Sequence, residues 1–138
     1  MEKTRAIVDT GFVVAALDCS DQWHAWAAQQ FPQLAAPALT CEAVVSEACF
    51  LLRDTRGARG QLMAWIRSGG LEVVPMLPAE TDPVAALLKR FDPRIDYADA
   101  CLVRLSELRR NHVVVTTDRA DFHVYRRFRR ERLPLLTP

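Results

Sequence analysis

Four short stretches of this chain each set a carboxylate inside or at the end of an apolar run. They are Ile7-Val8-Asp9-Thr10, Val44-Val45-Ser46-Glu47, Tyr97-Ala98-Asp99-Ala100 and Val115-Thr116-Thr117-Asp118. A lone charge in such a place is costly, so a fold that keeps four of them has to neutralise them. A hard divalent cation suits oxygen ligands. Four such residues meeting in one cleft would make a Mg²⁺ or Mn²⁺ site suited to phosphodiester hydrolysis.

The segments around these acids alternate between strand and helix patterns. Residues 5–9 read as a short buried strand ending in an acid, and Gly11 to Leu17 as a helix capped by Thr10. Ser20-Asp21 caps an amphipathic helix to Phe31 that carries Trp23, Trp26 and Phe31 on one face, and Pro32 stops it. Leu34 to Ala38 reads as a second strand, and Thr40 opens a helix to Arg53 with Ala43, Val44, Glu47, Phe50 and Leu51 on one face. A helix over 57–68 closes at Gly69-Gly70, and a strand from Leu71 to Met76 has Pro75 near its end, which favours a sheet edge. Helices follow from Asp82 to Phe91 and from Tyr97 to Arg110. A strand over 112–116 exits at Thr117-Asp118, a short turn or helix covers 119–123, and a last strand runs near Leu133 to Leu136.

This alternation predicts an α/β fold: a three-layer αβα sandwich around a mostly parallel sheet of four or five strands. Ligands of such sheets bind beyond the carboxyl ends of the strands, where Asp9 and Asp118 fall. Asp99 at a helix start and Glu47 within a helix can face the same crevice. At 138 residues one domain, 1–138, is expected. No apolar run is long enough to span a bilayer, and Met1-Glu2-Lys3-Thr4-Arg5 lacks a secretory pattern, so a cytoplasmic protein with no membrane partner is expected. Cys19, Cys41, Cys49 and Cys101 form no C-x-x-C pair and stand apart from His24, His112 and His123, which argues against zinc. Cys41, Cys49 and Cys101 read as small buried hydrophobes.

Taken in order, the four stretches resemble the PIN-domain nucleases, in particular the VapC-like toxins of bacterial toxin–antitoxin modules. The resemblance rests on Ile7-Val8-Asp9-Thr10, on Thr40 with Glu47 seven residues on, on the helix-opening Asp99-Ala100, and on Thr116-Thr117-Asp118-Arg119-Ala120-Asp121-Phe122. It runs from Ile7 to about Phe128. It implies Asp9, Glu47 and Asp99 as the core metal-binding and catalytic acids, Asp118 as the fourth, and Thr116 as a polar neighbour of the metal. Asp96 and Asp121 stand close enough to take the place of Asp99 or Asp118. Gly11 departs from the family, which often has a hydroxyl residue there. The implied activity is Mg²⁺- or Mn²⁺-dependent endoribonuclease. The implied partners are an RNA substrate, a cognate antitoxin protein and a second copy of the chain.

Net charge is +1, but arginine outnumbers lysine sixteen to two and crowds the segment Arg126, Arg127, Arg129, Arg130, Arg132. The first four of these are expected to hold RNA phosphates near the acids, against the plainer reading of a solvated surface. Other enzyme classes fit less well. A haloacid-dehalogenase-type phosphatase wants a second Asp where Gly11 stands. A receiver domain wants a Lys after a late strand, and the lysines are Lys3 and Lys89. No glycine-rich phosphate loop is present. Two alternatives stay open: a PIN-like binding or assembly module with an idle acid site, and a housekeeping RNA-processing nuclease.

Overall fold

The structure is a computed structural model and describes residues 2–138. Five strands form one sheet in the order β3 (Leu71–Val73), β2 (Ala38–Thr40), β1 (Ala6–Val8), β4 (Val113–Val115), β7 (Leu135–Leu136). Every pairing in it is parallel, with Ile7 opposite Leu39 on one side and Val114 on the other. Parallel neighbours require crossovers, and α1 (Thr10–Leu17), α2 (His24–Gln30), α3 (Glu42–Leu51), α4 (Ala58–Arg67), α5 (Thr81–Arg90) and α6 (Tyr97–Leu108) provide them. The result is the expected α/β sandwich. β1 and β2 are buried at every position, as strands covered on both faces must be.

Strand order decides where a ligand can sit. From β1 the chain crosses to β2 on one side and, later, to β4 on the other. The crevice between the carboxyl ends of β1 and β4 is therefore the topological switch point. Asp9 follows β1, and its N–H donates to the Val115 carbonyl at 3.0 Å. Strand pairing itself thus brings Asp9 alongside Thr116.

Several expectations are corrected. The second strand is Ala38–Thr40; Leu34 makes only an isolated bridge to Thr4. Thr40 ends that strand, fully buried, and its hydroxyl donates to the Val8 carbonyl at 2.9 Å, so it cannot open a helix. On α3 the buried residues are Val44 and Ala48, whereas Phe50 and Leu51 are 62% and 49% exposed. Glu47 therefore stands on a solvent-facing side of α3. Lastly, an antiparallel hairpin, β5 (Arg126–Arg127) and β6 (Glu131–Arg132), lies between 123 and 133, where no element was expected.

Most other details follow the sequence. β3 is a sheet edge, Cys41 and Cys101 are buried, and Gly69 ends α4 in the left-handed region at φ +83°. The helix expected from Ser20-Asp21 to Phe31 is corrected to α2, His24–Gln30, with no side-chain cap: Trp23 and Phe31 fall outside it and are exposed, and Trp26 packs edge-on against Phe12. His24 is tied in, its Nδ1 2.7 Å from the Ala15 carbonyl. Among the described residues no helix is long and apolar enough to cross a membrane.

Candidate active site

Asp9 is the deepest of the acids. It caps α1, with Oδ1 accepting from the Thr10 N–H at 2.7 Å and Oδ2 from the Thr116 hydroxyl at 2.6 Å. It is 7% exposed. Burial pushes its carboxyl up to about 6, and the charges of Glu47 and Asp118 add to that, against the pull of the two hydrogen bonds. Thr116, fully buried, also accepts from the Asp118 N–H at 2.9 Å. One hydroxyl thus ties the end of β1 to the start of α7 (Arg119–Val124).

Asp99 lies in the first turn of α6. Its N–H donates to Asp96 Oδ1 at 2.8 Å, and its own Oδ2 accepts from the Tyr125 hydroxyl at 2.8 Å. Burial raises it to about 7, with Asp96, Asp9 and Asp118 repelling the charged form. Asp118 caps α7 through Oδ1 to the Asp121 N–H at 3.2 Å, and it too is raised, first by burial. Glu47 is raised by partial burial and by Asp96. Each of the four expected acids is thus raised, first by burial; the charge of Asp118 adds at both Asp9 and Asp99, and that of Asp9 adds at Asp99.

Asp96 and Asp121, the expected understudies, have other work. Asp96 caps α6. Asp121 accepts from Arg94 Nε at 2.7 Å, and that guanidinium is the first cause of its lowered pKa.

Among the described residues no three acidic, histidine or cysteine side chains meet closely enough to form a ready-made cation cage. The donor chemistry nevertheless fits a hard cation. Every donor is a carboxylate oxygen. Among the described hydrogen bonds, Asp99 Oδ1 and Asp118 Oδ2 are left out of those that fix their carboxylates. Burial first, and carboxylate neighbours after it, lift all four pKa values in the protein alone, which a divalent cation would reverse.

The arginine segment splits in two. Arg126 spends Nη1 on the carbonyls of His123, Val124 and Tyr125 at the end of α7. Arg127 is 6% exposed; its Nε donates to Glu131 and its Nη1 to the carbonyls of Ser106 and Arg110 at 3.0 and 3.2 Å. Its expected role as a phosphate contact is corrected: an arginine whose donors are used inside the protein cannot grip RNA. Arg129 and Arg130 are exposed, but at the far end of α6 from Asp99. The basic residue beside the acids is Arg94, which sequence reading missed, as it missed Tyr125. Neither has a local signal: Arg94 lies in a loop and Tyr125 next to an arginine run.

Gly11 is explained by its neighbour. A Cβ built there would stand 2.1 Å from Thr117 Oγ1 and 3.3 Å from Thr117 Cβ. The hydroxyl expected after Asp9-Thr10 is replaced by one reaching across from the exit of β4. Gly11→Ala is expected to cost about 1–3 kcal/mol by overpacking. Thr117→Ala in that background should recover most of it. Chemical denaturation of the two variants measures this, and an undisturbed Gly11→Ala protein would refute the size exchange.

Comparison with known proteins follows the same lines. The PIN domain profile matches residues 6–128. Ribonuclease VapC26 of Mycobacterium tuberculosis (strain ATCC 25618 / H37Rv) is 27% identical over 123 residues, which cover 87% of this chain and 91% of that protein. The crystal structure of Mycobacterium tuberculosis VapC20, described as a Sarcin-Ricin loop cleaving toxin, superposes with a TM-score of 0.74 at 21% identity. That match covers 84% of this chain and 92% of VapC20. With its parallel sheet, its acids at the β1–β4 switch point and a profile match over nearly its whole length, this chain belongs to the PIN-domain family.

Proposed function

We propose that this chain is a divalent-metal-dependent endoribonuclease and the toxin of a toxin–antitoxin pair. The observation that carries the reading is the crevice at the β1–β4 switch point, where burial raises Asp9 to about 6 and Asp99 to about 7, with Glu47 and Asp118 adding at Asp9 and Asp96, Asp9 and Asp118 adding at Asp99. Such a site is held by a protein that binds cations there, since without one the charged acids weaken the fold. A bound Mg²⁺ or Mn²⁺ supplies Lewis-acid stabilisation of the phosphate and a more acidic water.

The protein's share is orientation. The Thr10 N–H and Thr116 hydroxyl fix both oxygens of Asp9, and Tyr125 fixes one oxygen of Asp99. Asp118 is positioned through its backbone by the same Thr116 hydroxyl. Asp9, Glu47, Asp99 and Asp118 hold the metal in this account, with Thr116, Asp96 and Asp121 supporting. RNA as substrate draws on VapC26 and VapC20, a ribonuclease and a Sarcin-Ricin loop cleaving toxin by description. An antitoxin, or a second copy, would cover the exposed Phe50 and Leu51 at the end of α3. A cytoplasmic site of action goes with this role.

The spread of the four carboxylates favours a second reading, a PIN-fold binding module with an idle acid site. Titration separates the two. Millimolar Mn²⁺ or Mg²⁺ is expected to raise the melting temperature by mass action, and by about 3 kcal/mol at a hundredfold excess over Kd. It should also switch on cleavage of single-stranded RNA. An Asp9→Asn/Asp99→Asn double variant should show neither effect. If the wild type shows neither, the nuclease reading falls. A small neighbouring gene for a DNA-binding protein with a tail would favour a toxin over a housekeeping nuclease.

A further inference from the structure

The four arginines that best fit a phosphate backbone are only partly the ones crowded together in sequence. We propose that RNA leaves the acid crevice along a basic track made by Arg94, Arg90 and the β5–β6 turn with Arg129 and Arg130; this rests on the ribonuclease reading above. The track starts at the lip of the site. Arg94 is exposed, and its Nε lies 2.7 Å from Asp121, the residue that Asp118 caps. Arg90, exposed at the end of α5, precedes it by four residues. Asp92 is the one acid in the stretch 86–94.

From Arg90 the track passes to the hairpin. An Arg90 Nη donates to the Arg129 carbonyl. The Arg90 guanidinium also lies over the Phe91 ring at 5.1 Å, Phe91 packs edge-on against Tyr125 at 5.5 Å, and Tyr125 donates to Asp99. An unbroken series of contacts therefore joins the turn to the acid site. Glu107 lies eight positions after Asp99 on α6, about 12 Å along the axis, and it anchors the turn by accepting from the Phe128 N–H at 2.7 Å. Its charge is offset by Arg104 at 3.1 Å.

The turn is built at a cost. Phe128 and Arg129 both take positive φ, 48° and 70°, and the Arg130 N–H closes a γ-type turn on the Phe128 carbonyl at 2.9 Å. Neither residue relieves that strain as glycine would, and strained turns persist where the surroundings fix them. Here the strain turns Arg129 and Arg130 onto a groove of about 620 Å³, floored by Pro83, Ala86 and Leu87 and walled also by Arg90 and by Glu107, the one acid there, which is held by Arg104 and the Phe128 N–H. An apolar floor with cationic walls suits a sugar–phosphate strand: the arginine forks take phosphate oxygens and the floor takes sugar or base. An acidic protein segment would also suit the arginines. The acids past Arg94 repel either anion unless a cation is bound, and on the ribonuclease reading only the phosphodiester is drawn there as substrate.

The test is the length dependence of RNA binding, measured by fluorescence anisotropy in an Asp99→Asn background so that the RNA survives. Single strands of about 4 and about 14 nucleotides span the relevant site sizes. Arg90→Gln/Arg129→Gln/Arg130→Gln is expected to weaken the longer strand about tenfold or more and to lower its salt slope by about 2. The shorter strand should change by less than about twofold. All three side chains are exposed, so melting should be unaltered, and the Arg→Lys triple should recover part of the affinity. Equal losses on both strands, or none, overturn the track while the ribonuclease reading stands if metal-dependent cleavage is intact. A parent protein that binds neither strand but binds polyglutamate through these arginines overturns both.

Discussion

Asp9→Asn removes RNA cleavage and leaves the metal-free protein more stable at neutral pH. The sign follows from where the carboxyl titrates. Its pKa rises from 3.8 unfolded to about 6 folded, so the native state binds the proton more tightly. That preference is fully present below pH 3.8 and is lost as pH rises through about 6. Two units correspond to about 3 kcal/mol. Asparagine is neutral at every pH and keeps one acceptor for the Thr10 N–H or the Thr116 hydroxyl, so part of this is given back. A net gain of about 1–3 kcal/mol in chelator at pH 8 is expected, with no gain at pH 4. Asp99→Asn should behave alike over a window reaching about 7, with a smaller gain because Asp99 is only half-buried. Urea denaturation at the two pH values measures this. A wild-type rate of RNA cleavage by Asp9→Asn would end its assignment, whatever the stability.

Arg127→Gln is expected to damage the fold rather than the grip on RNA. The side chain serves Glu131 and two backbone carbonyls from a position 6% exposed. Glutamine reaches none of these reliably, and the Ser106 and Arg110 carbonyls at the end of α6 lose their donor. Buried acceptors without partners, with Glu131 partly solvated, put the loss at about 2–4 kcal/mol. Arg129→Gln and Arg130→Gln should stay within about 0.5 kcal/mol of the parent. If Arg127→Gln melted like the wild type and bound RNA weakly, the guanidinium would have to belong to the surface.

What could be read from the sequence follows the range of the forces involved. β1, α1, α5 and α6 were legible because apolar patterning is local, though the cap of α1 is Asp9 rather than the expected Thr10, and β4 because Val113-Val114-Val115 is apolar throughout. The four acids could be singled out because each breaks an apolar run; the structure ties Asp9 to the exit of β4 through Thr116 and raises all four, and their joint role is part of the proposed function. The second strand was misplaced because Ala38-Leu39-Thr40 gains its stability from partners on both sides and from one buried hydroxyl, neither visible locally. The face of α3 was misjudged because Phe50 and Leu51 have helical spacing but no core beneath them; Phe50 is covered only by the Arg53 guanidinium at 4.2 Å. Tyr125, Arg94 and the Gly11–Thr117 exchange are contacts between distant segments, so they appear only once the chain is folded.

The hydrogen bond from Thr116 to Asp9 spans 107 positions of sequence. During synthesis, a nascent chain that has released its first hundred residues already carries Asp9, Glu47 and Asp99. It still lacks β4, which pairs with β1 to fix the crevice, and Tyr125, which holds Asp99. Nothing short of almost the whole polypeptide can therefore assemble the cleft. Fragments from truncated messages or stalled translation would carry the acids without the cleft, so whatever chemistry the site performs starts only once the final strands emerge.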